Sequence, residues 1–238
     1  MISLVLIHGF LGVPDDWHEV QAALEFPSQA IEIPNRPDWE TTLQAICQEL
    51  DSNTVLVGYS LGARLALGCS FKLRTTNRLQ GLVLVSGQPG LAETARKQRW
   101  QHDLEVCQRL RTNPRDTFIR DWYQQDVFQS LEPDQIEAFV DSRRDLDVER
   151  QVDLMLTCSV ARQPDYWSQL SCLELPVAVV VGGLDPKYVE IGRRMNHELP
   201  NGEFHKVANS GHIVHREQHE LFVGVVNDFC RRILEGDR

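Results

Sequence analysis

Nearly continuous apolar runs alternate along the chain with segments of helical spacing. Ile2–Ile7 is the clearest apolar run, and it is typical of a strand that is buried on both faces. Shorter runs of the same kind predict further strands at Ala30–Ile33, Asn53–Val57, Gly81–Val85, Val177–Val181 and Glu203–Val207. Helical spacing predicts helices at Thr41–Leu50, Leu61–Lys72, Tyr188–Leu199 and Glu217–Leu234. Strands that alternate with helices predict an α/β fold, with a mostly parallel sheet flanked by helices.

This alternation stops between the fourth and fifth predicted strands. The intervening segment contains no convincing strand, and its spacing predicts helices at Glu93–Leu110, Pro114–Tyr123, Pro133–Arg144 and Val148–Ala161. A block of helices inserted into such a series predicts a cap over the C-terminal edge of the sheet, where open α/β sheets bind ligands. We therefore expect a core of residues 1–90 and 174–238 and a helical cap of residues 91–173.

A predicted strand-to-helix turn carries the strongest candidate nucleophile. Gly58, Ser60 and Gly62 form a G-x-S-x-G motif between the third strand and the helix that follows it. Serine at such a sharp turn has a strained backbone, and the two glycines let neighbouring backbone pass close by. The strand before the motif and the helix after it are the context that this motif has in α/β hydrolases. The chain is therefore predicted to have the α/β-hydrolase fold, with Ser60 as its catalytic serine.

A serine hydroxyl needs a base, and the base needs an acid that orients it. In this fold the acid and then the histidine follow the serine along the chain. Asp185 comes just after the fifth predicted strand, and His212 just after the sixth, so both should reach the same sheet edge. Other acids in the predicted cap and other histidines near the last strand are Asp145, Asp153, Asp165, His205 and His215. Chain order and strand-end position favour Asp185 and His212 as the partners of Ser60.

An oxyanion hole needs two convergent backbone N–H groups. Leu61, the residue after the nucleophile, is expected to supply one of them. The loop after the first strand has the sequence His8-Gly9-Phe10-Leu11-Gly12, and Phe10 is the expected second donor. Within this loop, His8 is expected to form structural hydrogen bonds and not to act as a second base.

Composition narrows the classes of partner. The 238 residues include 34 acidic and 24 basic side chains, giving a formal net charge of −10. This balance disfavours nucleic acid and anionic membrane surfaces as partners. It leaves room for a small anionic substrate, because a local arginine cluster acts at short range. No HExxH motif is present, so we expect neither a metal nor a cofactor.

The cysteines and the N-terminal segment suggest where the protein works. The six cysteines are scattered without a CxxC pair, as is typical of free thiols. The first apolar run is too short to span a bilayer and has no basic leader, so we expect no signal peptide. We therefore expect a cytoplasmic protein. A monomer or a weak oligomer is a separate expectation.

Several motifs together resemble one enzyme family. They are HGFLG at residues 8–12 with Asp16-Trp17, GYSLGAR at 58–64, GQPGL at 87–91, DWYQQ at 121–125 and GHIVHRE at 211–217. Over nearly the whole chain this set resembles the 2-succinyl-6-hydroxy-2,4-cyclohexadiene-1-carboxylate synthases of the menaquinone and phylloquinone pathway. The chain departs from the family pattern in two places. Ala63 replaces a common glycine, and Ser86-Gly87-Gln88-Pro89 stands where some members have Glu-Gly-Gly-His.

The resemblance implies a lyase that abstracts a proton from carbon. Its substrate would be the 5-enolpyruvyl-6-hydroxy-2-succinyl-cyclohexene carboxylate intermediate, which loses pyruvate. Ser60 would be the general base, activated by His212, which Asp185 orients. The amides of Phe10 and Leu61 would stabilise the developing oxyanion, and no acyl-enzyme would be required.

Arg64 favours an anionic substrate, because it lies one helical turn after Ser60 and is always charged. By resemblance, Arg99 and Arg143, or the adjacent Arg144, would be further substrate arginines. Tyr59, Trp122 and Tyr123 would line the pocket by the same resemblance. Without the resemblance, the arginines of the cap would also be typical of a solvated helix face. The aromatic residues of the cap would likewise be typical of its apolar core.

Two rival functions use the same fold. A carboxylic-ester or thioester hydrolase would share the triad and differ only in its pocket, although three arginines disfavour neutral esters. A non-catalytic ligand-binding protein would be expected to lack a triad position, and all three candidates are present here.

Overall fold

The fold is described from a computed structural model that covers residues 2–76 and 78–236. Six parallel strands form one sheet, in the order β2-β1-β3-β4-β5-β6. The strands are β1 (Ser3–Ile7), β2 (Ser28–Ile31), β3 (Thr54–Tyr59), β4 (Leu79–Val85), β5 (Val177–Gly182) and β6 (Gly202–Val207). The central strands are buried along nearly their whole length, which explains why they read as apolar runs without alternation.

Helices cover both faces of the sheet. They are α1 (His18–Ala23), α2 (Trp39–Glu49), α3 (Leu61–Leu73), α4 (Glu93–Thr112), α5 (Arg115–Tyr123), α6 (Pro133–Ser142), α7 (Val148–Thr157), α8 (Pro186–Glu198), α9 (Val214–Glu217) and α10 (His219–Glu235). Leu43 of α2, Leu65 of α3 and Met195 of α8 belong to the apolar core on one face. Phe222 and Phe229 of α10 belong to the core on the other face. The prediction of a parallel sheet flanked by helices is thus confirmed.

The strand order brings distant parts of the chain to one edge. β1 pairs in parallel with β3, and Ile7 lies opposite Gly58. The loop after β1 therefore begins beside the turn that carries Ser60. β4 pairs with β5, and Val85 lies opposite Val180, so the segments after these strands also meet at this edge.

Helices α4 to α7 occupy the stretch between β4 and β5, as the sequence predicts. They build an apolar cluster of their own, around residues such as Ile119, Val140 and Val152. Leu11, from the loop after β1, and Ile213, next to His212, are buried in the same cluster. The cap helices therefore pack directly on the two loops that border the predicted site.

The last part of the predicted cap returns to the sheet layer. The ring of Tyr166 stacks on Phe71 of α3 with centroids 5.0 Å apart. Its hydroxyl accepts a hydrogen bond from Trp39 Nε1 at 3.0 Å. Tyr166, Leu170 and other residues of this stretch belong to the same core cluster as α2, α3 and α8.

Some predicted boundaries are wrong. The helix expected at Glu217–Leu234 is interrupted at Gln218, whose backbone is not helical (φ −138°, ψ 62°), so α9 and α10 are separate. The helix expected to reach Ala161 ends at Thr157, and the chain then turns so that Ser159 Oγ donates to Asp103. The short helix α1 was not predicted, since six residues show too little periodicity.

Within residues 2–76 and 78–236, no helix is both long enough and apolar enough to cross a bilayer.

Candidate active site

Ser60 lies at the sharp turn between β3 and α3. Its backbone is in a disfavoured region (φ 52°, ψ −104°), and its amide donates to Val85 O at 2.8 Å. A Cβ on Gly58 would lie 2.3 Å from Gly62 O, and one on Gly62 would lie 2.1 Å from Ile7 O. Both glycines of the motif are therefore required by close backbone packing. The turn leaves the Ser60 side chain partly exposed.

A hydrogen-bonded chain joins Ser60, His212 and Asp185. His212 Nε2 lies 3.3 Å from Ser60 Oγ, and His212 Nδ1 lies 2.8 Å from Asp185 Oδ2. Because a carboxylate only accepts, Nδ1 carries the proton and Nε2 is left to accept from the serine. Asp185 Oδ1 accepts from the amide of Tyr188 at 3.1 Å, which fixes the carboxylate at the start of α8. The structure thus brings together the three residues that the sequence predicts, in the arrangement that proton transfer requires.

The loop that carries His212 is held on both sides by Glu217. Its two carboxylate oxygens accept from the amides of Gly211 (2.8 Å) and Ile213 (2.9 Å). Ser86 Oγ donates to the carbonyl of His212 at 2.9 Å. Sequence reasoning missed these two residues, although Glu217 ends the motif at 211–217, and a carboxylate a few residues past a turn is a recognisable capping signal.

The two expected oxyanion donors follow β1 and β3, which pair in parallel and end at the same edge of the sheet. Leu61 is the first residue of α3, so its amide has no acceptor within the helix. Phe10 lies in the loop after β1, in a turn closed by the bond from Gly12 N to Gly9 O at 3.1 Å. A Cβ on Gly9 would lie 2.8 Å from the ring of Tyr59, so the loop is tightly apposed to the nucleophile turn.

Two of the predicted arginines form a cationic pair near the triad. Arg64 Nη1 donates to Gln163 Oε1 at 2.9 Å, and Arg99 Nε donates to Asp103 Oδ1 at 2.7 Å. Burial and the charge of Arg99 lower the pKa of Arg64 to about 10, so it remains protonated at neutral pH. Burial raises the pKa of the Tyr188 hydroxyl, and the positive charges of both arginines act on this hydroxyl and lower its pKa by a smaller amount. The Tyr188 ring packs on His212 with centroids 4.5 Å apart. The arginines therefore flank the triad on the α8 side.

Arg143 is buried and its donors are already engaged. It donates to Asp16 Oδ2 at 2.6 Å, to Leu11 O at 3.1 Å and to Ser142 Oγ at 2.6 Å. Only 3% of its side chain is exposed, whereas 69% of the neighbouring Arg144 is exposed. Arg143 therefore lies at the predicted pocket but is bonded to the loop after β1, and Arg144 faces solvent.

Aromatic side chains fill the space between this loop and the cap. Trp122 packs edge-on against Phe10, with centroids 4.9 Å apart. Tyr59 meets His212 at 5.5 Å, and Tyr123 stacks on Phe139 at 4.3 Å. Burial raises the pKa of Tyr123 to about 12 and that of Tyr59 well above its usual range, so both phenols stay protonated. These three predicted residues line a small cavity of about 20 Å³, which is room for about one water molecule.

The alternative acids and histidines lie apart from the relay. His205 contacts Glu203 at 3.1 Å, Asp153 accepts from Asn35 on the surface, and Asp165 accepts from the amide of Trp167. His215 is buried against Trp17 and Tyr59. In the described part of the chain no group of three or more His, Cys, Asp or Glu side chains is arranged to hold a metal ion.

The family model described as the alpha/beta hydrolase family matches residues 4–225. Among curated relatives, a 2-succinyl-6-hydroxy-2,4-cyclohexadiene-1-carboxylate synthase from Serratia proteamaculans is 30% identical, over 95% of this chain and 92% of the relative. The enzyme of the same name from Yersinia enterocolitica is 31% identical, over 95% and 85%. Among solved structures, MenH from S. aureus aligns with a TM-score of 0.89 at 21% identity, over 98% and 94% of the two chains. A thermophilic esterase from Thermogutta terrifontis aligns with a TM-score of 0.76 at 22% identity, over 98% and 90%.

Proposed function

Because this chain belongs to the alpha/beta hydrolase family and, within it, to the 2-succinyl-6-hydroxy-2,4-cyclohexadiene-1-carboxylate synthases, we propose that it is the lyase that forms this product with release of pyruvate. Its substrate is the 5-enolpyruvyl-6-hydroxy-2-succinyl-cyclohexene carboxylate intermediate of menaquinone or phylloquinone biosynthesis.

The relay supports abstraction of a proton from carbon. His212 takes the Ser60 proton, and the Ser60 oxygen takes a proton from the ring carbon that bears the succinyl ketone. The electron pair moves through the ring, a new double bond forms, and the carbon–oxygen bond to the enolpyruvyl group breaks. The leaving enolate gains a proton and becomes pyruvate. Negative charge that develops on the ketone oxygen is the charge that the amides of Phe10 and Leu61 would stabilise.

The observation that carries the proposal is a complete Ser60–His212–Asp185 relay beside a half-buried guanidinium with a neutral hydrogen-bond partner. Arg64 donates to the Gln163 side-chain amide, and across the described residues no carboxylate forms an ion pair with it. A half-buried cation that no protein anion pairs with is free to bind an anion, so the site favours a ligand that supplies a carboxylate. The proposed substrate carries carboxylates, whereas a neutral ester does not. Arg99 would be a second contact, and Tyr59, Trp122 and Tyr123 would shape the pocket.

Pyruvate release from the enolpyruvyl substrate by the purified protein tests the function. A coupled assay with lactate dehydrogenase follows pyruvate directly. We expect Ser60→Ala to lower the rate by roughly 10²- to 10⁴-fold, as loss of a general base does. Ser52→Ala, at an exposed position, is the matched control. A wild-type chain that leaves the substrate unchanged would refute the lyase function.

A carboxylic-ester or thioester hydrolase is the second candidate, because the same relay supports attack by Ser60 on a carbonyl carbon. p-Nitrophenyl esters assayed beside the enolpyruvyl substrate separate the two functions. Much faster turnover of neutral short-chain esters would favour the hydrolase.

We further propose a cytoplasmic location and a monomeric or weakly oligomeric state. The cysteines support this location, since five of the six are buried and all are free thiols. Cell fractionation tests the first proposal and light scattering of the purified protein tests the second.

A further inference from the structure

Gln163 is a fully buried side chain with a defined orientation. Its Nε2 donates to Pro89 O at 2.7 Å and to Gln88 O at 3.4 Å, and its Oε1 accepts from Arg64 Nη1 at 2.9 Å. A flipped amide would face the guanidinium with its NH₂ group and the two carbonyls with its oxygen. The three bonds therefore fix which end of the amide meets Arg64.

The segment that carries Gln163 is itself anchored. Arg96 Nη1 donates to Ala161 O at 2.9 Å and to Gln163 O at 2.8 Å. The amide of Gln163 donates to Ser159 O at 3.0 Å. The Gln163 oxygen is thus presented to Arg64 by a rigid turn and not by a mobile side chain.

The two arginines near the triad differ in the charge of their partners. Arg99 is paired with Asp103, a carboxylate that is 1% exposed and that also accepts from Ser159 Oγ at 2.5 Å. Its positive charge is therefore compensated within the protein. Arg64 donates to a neutral amide oxygen and lies 5.8 Å from the centroid of the Trp39 ring, and neither of these described partners is an anion, so its charge is still available.

We propose that Gln163 is a positioning residue that determines specificity for carboxylates, because it orients Arg64 with a neutral acceptor and leaves the guanidinium charge to the substrate. The inference rests on the proposed function only for the identity of the substrate. A carboxylate at position 163 has the same size, although it would lose the bonds to the carbonyls of Gln88 and Pro89, and it would neutralise Arg64 and compete with the ligand.

Binding of phthalate, a stable ring dicarboxylate, measured by calorimetry, tests the inference without turnover. We expect Gln163→Glu to weaken phthalate binding roughly 10- to 100-fold, the equivalent of one charge-assisted hydrogen bond. Gln163→Met removes the hydrogen bonds without adding charge, so its loss should be clearly smaller than that of Gln163→Glu. Gln169→Glu makes the same change at a half-buried position of the same segment and should leave binding unchanged. Dimethyl phthalate, which is neutral, should bind equally to wild type and Gln163→Glu.

A reciprocal variant extends the test to the second arginine. Asp103→Asn replaces an anion by a neutral amide beside Arg99, so phthalate binding should tighten and become more sensitive to salt. This variant also decides the matter if Gln163→Glu does not fold. Any one of four results would overturn the inference. For position 163 they are phthalate binding within twofold of wild type in Gln163→Glu, or an equal loss of binding in Gln163→Glu and Gln163→Met. The other two are no tightening of phthalate binding in Asp103→Asn, and no preference of wild type for phthalate over its dimethyl ester.

The enolpyruvyl substrate separates this inference from the proposed function. We expect Gln163→Glu to raise KM roughly 10-fold or more while kcat changes less, as loss of a charge-assisted contact would. Charge-dependent phthalate binding without pyruvate release would remove the function and leave the inference. Pyruvate release together with an unchanged KM in Gln163→Glu would leave the proposed function and remove the inference.

Discussion

Glu217 holds His212 by the backbone: its carboxylate accepts one hydrogen bond from each of the two amides that flank the histidine. The imidazole bridges Ser60 and Asp185 over distances of 3.3 Å and 2.8 Å, so a small shift of the loop would break the relay. Glu217 is the last residue of α9 and its amide donates to Ile213 O at 3.0 Å, so this single helical turn returns its carboxylate to the loop.

Removal of the Glu217 carboxylate should therefore slow catalysis without weakening substrate binding. We expect Glu217→Ala to lower kcat by about 10- to 100-fold with KM nearly unchanged, since a misplacement of about 1 Å can cost that much. Steady-state pyruvate release measures both constants. Glu220→Ala, at an exposed position of α10, is the control. A parallel rise in KM would argue against a role confined to positioning His212.

Gly62→Ala and Gly224→Ala should have opposite effects on stability. A Cβ at Gly62 would lie 2.1 Å from Ile7 O, so we expect a loss of about 3 kcal/mol or more of unfolding free energy. A Cβ at Gly224, within α10, would meet nothing within 4 Å, and the substitution should stabilise the protein by about 0.5–1 kcal/mol. Urea unfolding measures both. Equal effects at the two sites would contradict the close packing of the nucleophile turn against β1.

Protonation of His215 should couple stability to pH. Burial, with smaller effects from the charges of Arg216, His212 and His219, lowers the pKa of His215 from 6.5 to about 3. Between these two values the unfolded chain binds a proton that the folded chain does not, so this residue's contribution falls by about 1.4 kcal/mol per pH unit as pH decreases below 6.5 and is constant above it.

The matched variant is His215→Phe, which keeps the ring against Trp17 and removes the titration. We expect it to lose about 2 kcal/mol less unfolding free energy than wild type between pH 6.5 and pH 5 in urea melts. His18→Gln, at an exposed position, should follow the wild-type curve. Identical pH profiles for wild type and His215→Phe would show that His215 titrates normally in the fold.

Arg143 and Arg144 should differ sharply although they are adjacent. Arg143→Met leaves Asp16 largely buried without its cation, and breaking such a pair costs about 3–5 kcal/mol. It should also lower kcat, because Arg143 donates to Leu11 O in the loop that carries Phe10. Arg144→Met should stay within about 0.5 kcal/mol of wild type, since its pair with Asp141 is exposed. Thermal unfolding and pyruvate release distinguish the two, and similar values for both variants would refute this assignment.

The three residues of the relay could be predicted from sequence because each follows a strand of a parallel sheet. Parallel strands bring their C-terminal ends to one edge, so position after a strand is enough to place Ser60, Asp185 and His212 together. The supporting residues carry no such signal. Gln163 and Arg64 are far apart in sequence, and the bond between them depends on how the segment after α7 returns to the sheet. The ion pair of Arg143 with Asp16 likewise depends on how the cap packs on the loop after β1. The spacing of apolar residues in the sequence does not predict that packing.

The segment between Val85 and Val177 leaves β4 at one edge of the sheet and enters β5, its parallel neighbour, from the opposite edge. It is therefore a crossover, and parallel pairing sets a minimum for its length but no maximum. Natural variation can lengthen or exchange the cap helices of this crossover and leave the proton-transfer machinery intact, provided that Ser86 still bonds His212 and Arg143 still bonds the loop after β1. An engineer who wants a different substrate should graft there first and leave the strands alone.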